Sequence, residues 1–88
     1  MEFKYEYGRI YYEKDGKVLA EVVFPITDGV ADIQRTFVDD SLRGQGIASI
    51  LIEKAVEVIR YDNLRAKATC SYAASWFTKH PWHNDLLV

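Results

Sequence analysis

Arg43-Gly44-Gln45-Gly46-Ile47-Ala48 lies where the character of the chain changes. Before it comes a β-rich run ending at Thr36-Phe37-Val38. After it, apolar side chains recur at helical spacing from Ile47 to Arg60. A strand, a glycine-bearing loop and a helix start, in that order, predict an α/β crossover and an anion site. The first amides of a helix have no partner within it, and the helix dipole adds partial positive charge there. Gly44 and Gly46 carry no Cβ, so a phosphate can rest directly against the main chain. This is the one stretch whose residues suggest a ligand.

Upstream, the chain reads as a β-meander. Tyr5 to Glu13 is rich in Tyr and Ile, and Asp15-Gly16 gives a hairpin turn. Val18 to Phe24 is a second strand, which Pro25 ends because proline cannot donate to a ladder. Asp28-Gly29 marks another turn, and Val30 to Val38 reads as one long third strand. Its alternation puts Val30, Asp32, Gln34, Thr36 and Val38 on one face, with Ala31, Ile33, Arg35 and Phe37 on the other.

Downstream, Ile47, Ile50, Leu51, Lys54, Ala55 and Val58 trace one helical face, with Ile59 beside it. Glu53, Glu57 and Arg60 fall on the wet side, and Asn63 is a stop. Leu64 to Cys70 alternates as a strand. Ser71 reads as the N-cap of a short helix over Tyr72 to Lys79, which Pro81 cannot continue. Tyr72 and Trp76, four apart on that helix, are core residues by default. The apolar end of the tail, Leu86-Leu87-Val88, is expected to dock. The order β-β-β-α-β-α, with a right-handed crossover, implies an α/β (α+β) mixed sheet with its last two strands parallel.

Composition bounds the function. At 88 residues the chain is expected to form one domain over residues 1–88 with a modest core. A net charge of -2 offers no basic field for nucleic acid. No apolar run approaches the roughly 20 residues of a membrane span, and Met1-Glu2-Phe3-Lys4-Tyr5-Glu6 does not read as a signal peptide. A single cysteine, Cys70, fits a reducing cytoplasm. His80 and His83 with Cys70 make a weak metal set, so no metal is expected.

Val38-Asp39-Asp40-Ser41-Leu42-Arg43-Gly44-Gln45-Gly46-Ile47-Ala48 resembles motif A of the GNAT acetyltransferase superfamily, with Arg43, Gly46 and Ala48 at its defined positions. A closer resemblance is to the small, roughly half-length GNAT-like acetyl-CoA-binding family. Its members follow motif A with a strand ending in Cys-Ser/Pro-Tyr/Phe, a short helix, and His-Pro-x-x-x-Asp-Leu. Here these are Cys70-Ser71-Tyr72 and His80-Pro81-Trp82-His83-Asn84-Asp85-Leu86, so the resemblance runs from Tyr5 to Leu87. Many relatives carry His-Thr where this chain has Arg35-Thr36, so a role for that histidine does not transfer.

The resemblance implies a GNAT-like compact fold and acetyl-CoA as cofactor. Its pyrophosphate would sit on the loop Arg43, Gly44, Gln45, Gly46, Ile47 and Ala48. Its pantetheine arm would pair with backbone near Thr36, Phe37 and Val38. The thioester would lie in a splay beside Cys70, Ser71 and Tyr72. The implied activity is acetyl transfer to an unidentified amine, small-molecule or protein. The helices and closing strands that wall the acceptor in a full GNAT domain are missing from the half-length pattern. A non-catalytic acetyl-CoA-binding module or partner-dependent subunit is therefore the alternative, and a homodimer is one way to complete the wall. Cys70 is open to three readings: a buried small hydrophobe, a thioester contact, or a nucleophile activated by the helix start at Ser71.

Overall fold

Glycine turns set the corners of the first half. In the computed structural model, which describes residues 1–88, Asp15-Gly16 and Asp28-Gly29 both have positive φ at their two central residues. That is the twist a two-residue hairpin requires. A third corner falls at Tyr7-Gly8, where Gly8 has φ +71°. It divides the first expected strand into β1 (Lys4–Glu6) and β2 (Arg9–Lys14). β3 (Lys17–Val23) and the short β4 (Ile26–Thr27) follow, on either side of Pro25.

The third long strand is also two elements, β5 (Val30–Ile33) and β6 (Arg35–Val38), separated at Gln34. They belong to different sheets. β6 extends an antiparallel sheet ordered β1-β2-β3-β6. β5 joins β4 and β7 (Arg65–Ala68), running parallel to β7. The single alternation read from Val30 to Val38 therefore fails. Ala31 and Ile33 face the core, but beyond Gln34 the inward residues are Thr36 and Val38, aligned with Val22 and Ala20. Arg35 and Phe37 turn to the opposite face. Two residues inserted between inward positions change the parity of a strand.

Helix α1 (Ile47–Tyr61) makes the crossover between β6 and β7 and covers the inner face of the sheets. Its buried residues are Ile47, Leu51, Ile52, Ala55, Val56 and Ile59. The expected face is thus rotated: Ile50 is exposed and Val58 half-buried, while Ile52 and Val56 point inward. Contact on two sides, with the sheet and with α2 (Ser71–Lys79), widens the stripe that must be apolar. The N-cap of α2 is Cys70, not Ser71, and Ser71 is its first helical residue. A 3-10 turn over Pro81–Leu86 then buries Leu86, and Val88 donates to the Ala66 carbonyl at 3.0 Å, so the tail docks along β7.

Gly8 is the corner least tolerant of a side chain. A Cβ there would meet the Phe24 carbonyl oxygen at 3.1 Å, whereas at Gly29 it would meet nothing. The Phe24 amide also donates to the Gly8 carbonyl at 2.7 Å. Positive φ alone costs an alanine about 1–2 kcal/mol. In urea unfolding, Gly29→Ala is expected to show that cost and Gly8→Ala a visibly larger one. Coincident midpoints would refute the close-approach argument.

Candidate cofactor site

The loop after β6 is shaped by Asp39. Its amide donates to the Leu19 carbonyl at 2.7 Å, tying the end of β6 to β3. Its carboxylate accepts from the Ser41 hydroxyl at 2.7 Å and the Ser41 amide at 3.0 Å, capping a 3-10 turn over Asp40–Leu42. These bonds, the hydroxyl's first, hold the Asp39 carboxyl below its usual pKa. Arg43 Nη2 lies 2.6 Å from Asp40 Oδ1, but both side chains are largely exposed, so this pair contributes little.

The chain then passes through Gly44 at φ +85° and Gly46 at φ +71° into α1. Gly46 occupies the N-cap position and has no side chain to cap with. The first amide of this region to find an acceptor is that of Ile50, which donates to the Gly46 carbonyl. The amides from Gly44 to Ser49 have no backbone or side-chain acceptor. The helix start therefore presents a run of free donors at its positive end. Val38, Leu42, Arg43, Gly44, Gly46, Ile47 and Ala48 line a cavity of about 190 Å³ beside them. A Cβ built on Gly44 or Gly46 meets no protein atom within 4 Å, so the space over both is open.

Cys70 lies across the open edge of β6. The Ile33 carbonyl accepts from the amides of both Thr69 and Cys70, at 3.1 and 2.9 Å, where β5 and β7 part. Half-buried, Cys70 places Sγ 3.5 Å from Thr36 Oγ1. Burial pushes its thiol pKa up. The Thr36 hydroxyl and the amides of Ala73 and Tyr72 outweigh this and leave it below the ordinary thiol value, without closing a capping hydrogen bond.

The expected residues are thus distributed as follows. Val38, Arg43, Gly44, Gly46, Ile47 and Ala48 share one cavity, and Gln45 is exposed on the loop. Phe37 turns its ring to the far face, under the Arg35 guanidinium, so only its backbone borders the site. Ser71 and Tyr72 are exposed on the first turn of α2. Trp76 is core, as expected, but Tyr72 is 42% exposed and is not. Trp76 Nε1 donates to Ser49 Oγ at 2.9 Å, fastening α2 to the start of α1.

One further group went unread in the sequence. Asp32 projects from β5 on the face away from α1 and accepts hydrogen bonds from Thr69 Oγ1 at 2.5 Å and Gln34 Nε2 at 3.3 Å. The Thr69 hydroxyl, ahead of Gln34 and Lys67, holds its carboxyl below its usual pKa despite partial burial. Pro25, Thr27, Asp28, Val30, Gln34 and Lys67 surround it in a groove of about 430 Å³. A carboxylate in a lone Ala-Asp-Ile triplet carries no motif. Only the pairing of β5 with β7 brings Asp32 to Thr69, one residue from Cys70.

Known proteins fit this geometry. A family model described as GCN5-related N-acetyl-transferase matches residues 9–86. The solution structure of a GCN5-like protein from Staphylococcus aureus is 30% identical, with a TM-score of 0.80, over 99% of this chain and 87% of that one. An IAA acetyltransferase from Bacillus cereus shares the fold at a TM-score of 0.62 and 21% identity, over 81% of this chain and 51% of that one. Protein NATD1 of Bos taurus is 36% identical over 52 residues, which are 59% of this chain and 46% of that protein. The human protein of that name is 35% identical over 52 residues, 59% of this chain and 46% of its own. The chain spans about half the length of these curated relatives. With a family match over residues 9–86 and a structural relative along nearly its whole length, this chain belongs to the GCN5-related N-acetyltransferases, the GNAT superfamily.

Proposed function

We propose that the chain binds acetyl-CoA and transfers its acetyl group to an amine, on a small molecule or a protein. The observation that carries this reading is the run of unpartnered amides from Gly44 to Ser49, opening on a cavity next to the free edge of β6. In this reading the amides hold the cofactor pyrophosphate, Arg43 adds a charge-assisted hydrogen bond, and the pantetheine arm pairs with the backbone of Thr36 to Val38. The thioester then lies beside Thr36 and Cys70, which touch each other at 3.5 Å.

In the direct route, the ionised Asp32 carboxylate attracts the approaching ammonium group, which loses a proton to solvent, and the neutral amine nitrogen then attacks the thioester carbonyl from that side. The carbon–sulfur bond breaks, and the nitrogen-bound proton passes to the departing CoA thiolate. In the covalent route, the Cys70 thiolate attacks first, releases CoA and carries the acetyl group as a thioester until the amine takes it. The lowered Cys70 pKa supports the second route. A free thiol in this role is suited to a reducing, cytoplasmic setting. The non-catalytic reading has its own support. Asp32, held low, is a poor general base, and its groove is open.

Three measurements separate these readings. Gly46→Val is expected to weaken CoA binding by calorimetry about tenfold or more, with a stability loss of about 1–2 kcal/mol from the positive φ. Unchanged CoA affinity would remove the loop from the site. After incubation with acetyl-CoA, intact mass is expected to show an acetyl adduct that is absent in Cys70→Ala. A noncovalent complex without adduct or turnover would favour the binding module.

The third measurement is a pH profile. Because its pKa is lowered, Cys70 becomes thiolate at lower pH than an ordinary thiol, so alkylation by iodoacetamide should rise through an early midpoint. Thr36→Val removes the strongest group favouring the thiolate, and the midpoint is expected to move up. A midpoint that stays put would show that Thr36 does not tune the thiol.

A further inference from the structure

The motif His80-Pro81-Trp82-His83-Asn84-Asp85-Leu86 plays no part in the proposed acetyl transfer, yet it builds a cleft of its own. Asp85 anchors it to α1 by accepting from both Arg60 Nη1 and Nη2, each at 2.8 Å. His83 Nδ1 lies 3.0 Å from Arg60 Nη2. The Trp76 ring stacks on His80 at 3.9 Å and 12°, and near-parallel to His83 at 5.6 Å and 19°. Trp82 meets His80 edge-on at 5.1 Å and is 67% exposed. Between these rings and Glu53, Val56 and Glu57 of α1 lies a cavity of about 230 Å³.

Its charges do not balance. Arg60 is the one lysine or arginine lining the cleft, and it is engaged by Asp85. Glu53 and Glu57 form no ion pair. They are four apart on one helix and repel each other. Burial, and then the charge of Arg60, keep the His83 imidazole below its usual pKa, so it does not neutralise them at pH 7. Two uncompensated carboxylates therefore stand beside a set of aromatic rings. No three His, Cys, Asp or Glu side chains converge closely enough to hold a metal ion. An organic cation with an apolar stem suits the cleft better. The carboxylates take the charge, and the exposed Trp82 ring takes the stem and adds cation–π attraction.

We infer that this cleft binds an alkylammonium group, either the end of a lysine side chain or a free polyamine. It lies at the C-terminal end of α2, a nine-residue helix whose N-terminus carries Cys70. At ~1.5 Å per residue the two are about 13 Å apart along its axis. The cleft is an anchoring site, not the reacting centre, and the inference does not depend on acetyl-CoA binding.

The test titrates the full chain with spermidine and with an acetylated, amidated Gly-Lys-Gly peptide, by calorimetry and by the fluorescence of Trp76 and Trp82. The same peptide with norleucine in place of lysine is the uncharged control. Saturable binding of a cationic probe is expected, with none of the norleucine peptide. Glu53→Gln/Glu57→Gln and, separately, Trp82→Ala are each expected to weaken it about tenfold or more. The probe that binds more tightly identifies the source of the ammonium group. The double variant relieves a like-charge pair, so it is expected to melt no lower than the wild type while CoA affinity is unchanged. Lack of saturation with both cations, equal binding of the norleucine peptide, or undiminished binding by the double variant would overturn the inference.

Discussion

The Ile33 carbonyl accepts two amides, those of Thr69 and Cys70, and one residue later the Gln34 amide donates to the Val23 carbonyl. Between these bonds the chain changes partner. β5 has spent its outer edge on β7, and β6 pairs with β3. β7 cannot follow β6 across that switch, so the edge of Thr36 to Val38 that would have met it stays unpaired. Unpaired edges are usually blunted or covered. This one is left open at the bottom of a notch, flanked by the loop at Gly44 on one side and by Cys70 on the other. The cavity, the thiol environment and the free strand edge all follow from that one change of partner.

The same switch explains the face the helices leave uncovered. Because Arg35 and Phe37 turn outward, the outer surface of β2, β3 and β6 carries Arg9, Tyr11, Glu21, Arg35 and Phe37. Glu21 bridges both guanidiniums, Arg9 at 2.7 Å and Arg35 at 3.2 Å. Its partial burial raises its pKa, but the two arginines more than offset this and hold it ionised. Arg9 lies 4.0 Å over the Tyr11 ring and Arg35 5.5 Å over Phe37. Guanidinium planes thus cover the aromatic rings, and carboxylates cover the guanidiniums. A partner docking here would have to match charge. A purely apolar seam placed here would find these rings already occupied.

Legibility followed local chemistry. Asp15-Gly16 and Asp28-Gly29 were plain because a two-residue turn with positive φ has few acceptable residues. Tyr7-Gly8 was hidden because tyrosine is a strand residue and the run around it is aromatic. The break at Gln34 was hidden too, since an alternating pattern reads the same whether or not its parity changes halfway. The rotated face of α1 reflects a second neighbour, α2, that no single-helix pattern encodes. The loop from Arg43 to Ala48 was readable because its proposed role rests on backbone amides, and glycine announces an exposed backbone. Asp32 was not readable, because its importance comes from Thr69, 37 residues away in sequence. Backbone sites leave a local trace in the sequence, and side-chain constellations do not.

That distinction bears on what the notch can do. The free amides at the start of α1 border Val38, and Cys70, at the N-cap position of α2, touches Thr36; both helix starts therefore face the same strand edge. The Trp76 indole, donating to the Ser49 hydroxyl, fastens one helix start against the other, while the Ser49 amide, in the first turn of α1, stays free. Two helix dipoles with their positive ends at one notch favour negative charge twice over. The first end, with glycines and open space, suits a charge that arrives with a ligand and stays. The second carries a titratable thiol, and so suits a charge that forms and disappears. In the proposed reading, phosphate binding draws on the first end. The proposed covalent route draws on the second, and because Trp76 joins the two, an anion at Gly44–Ser49 would rest on the same packed unit that positions the Cys70 sulfur.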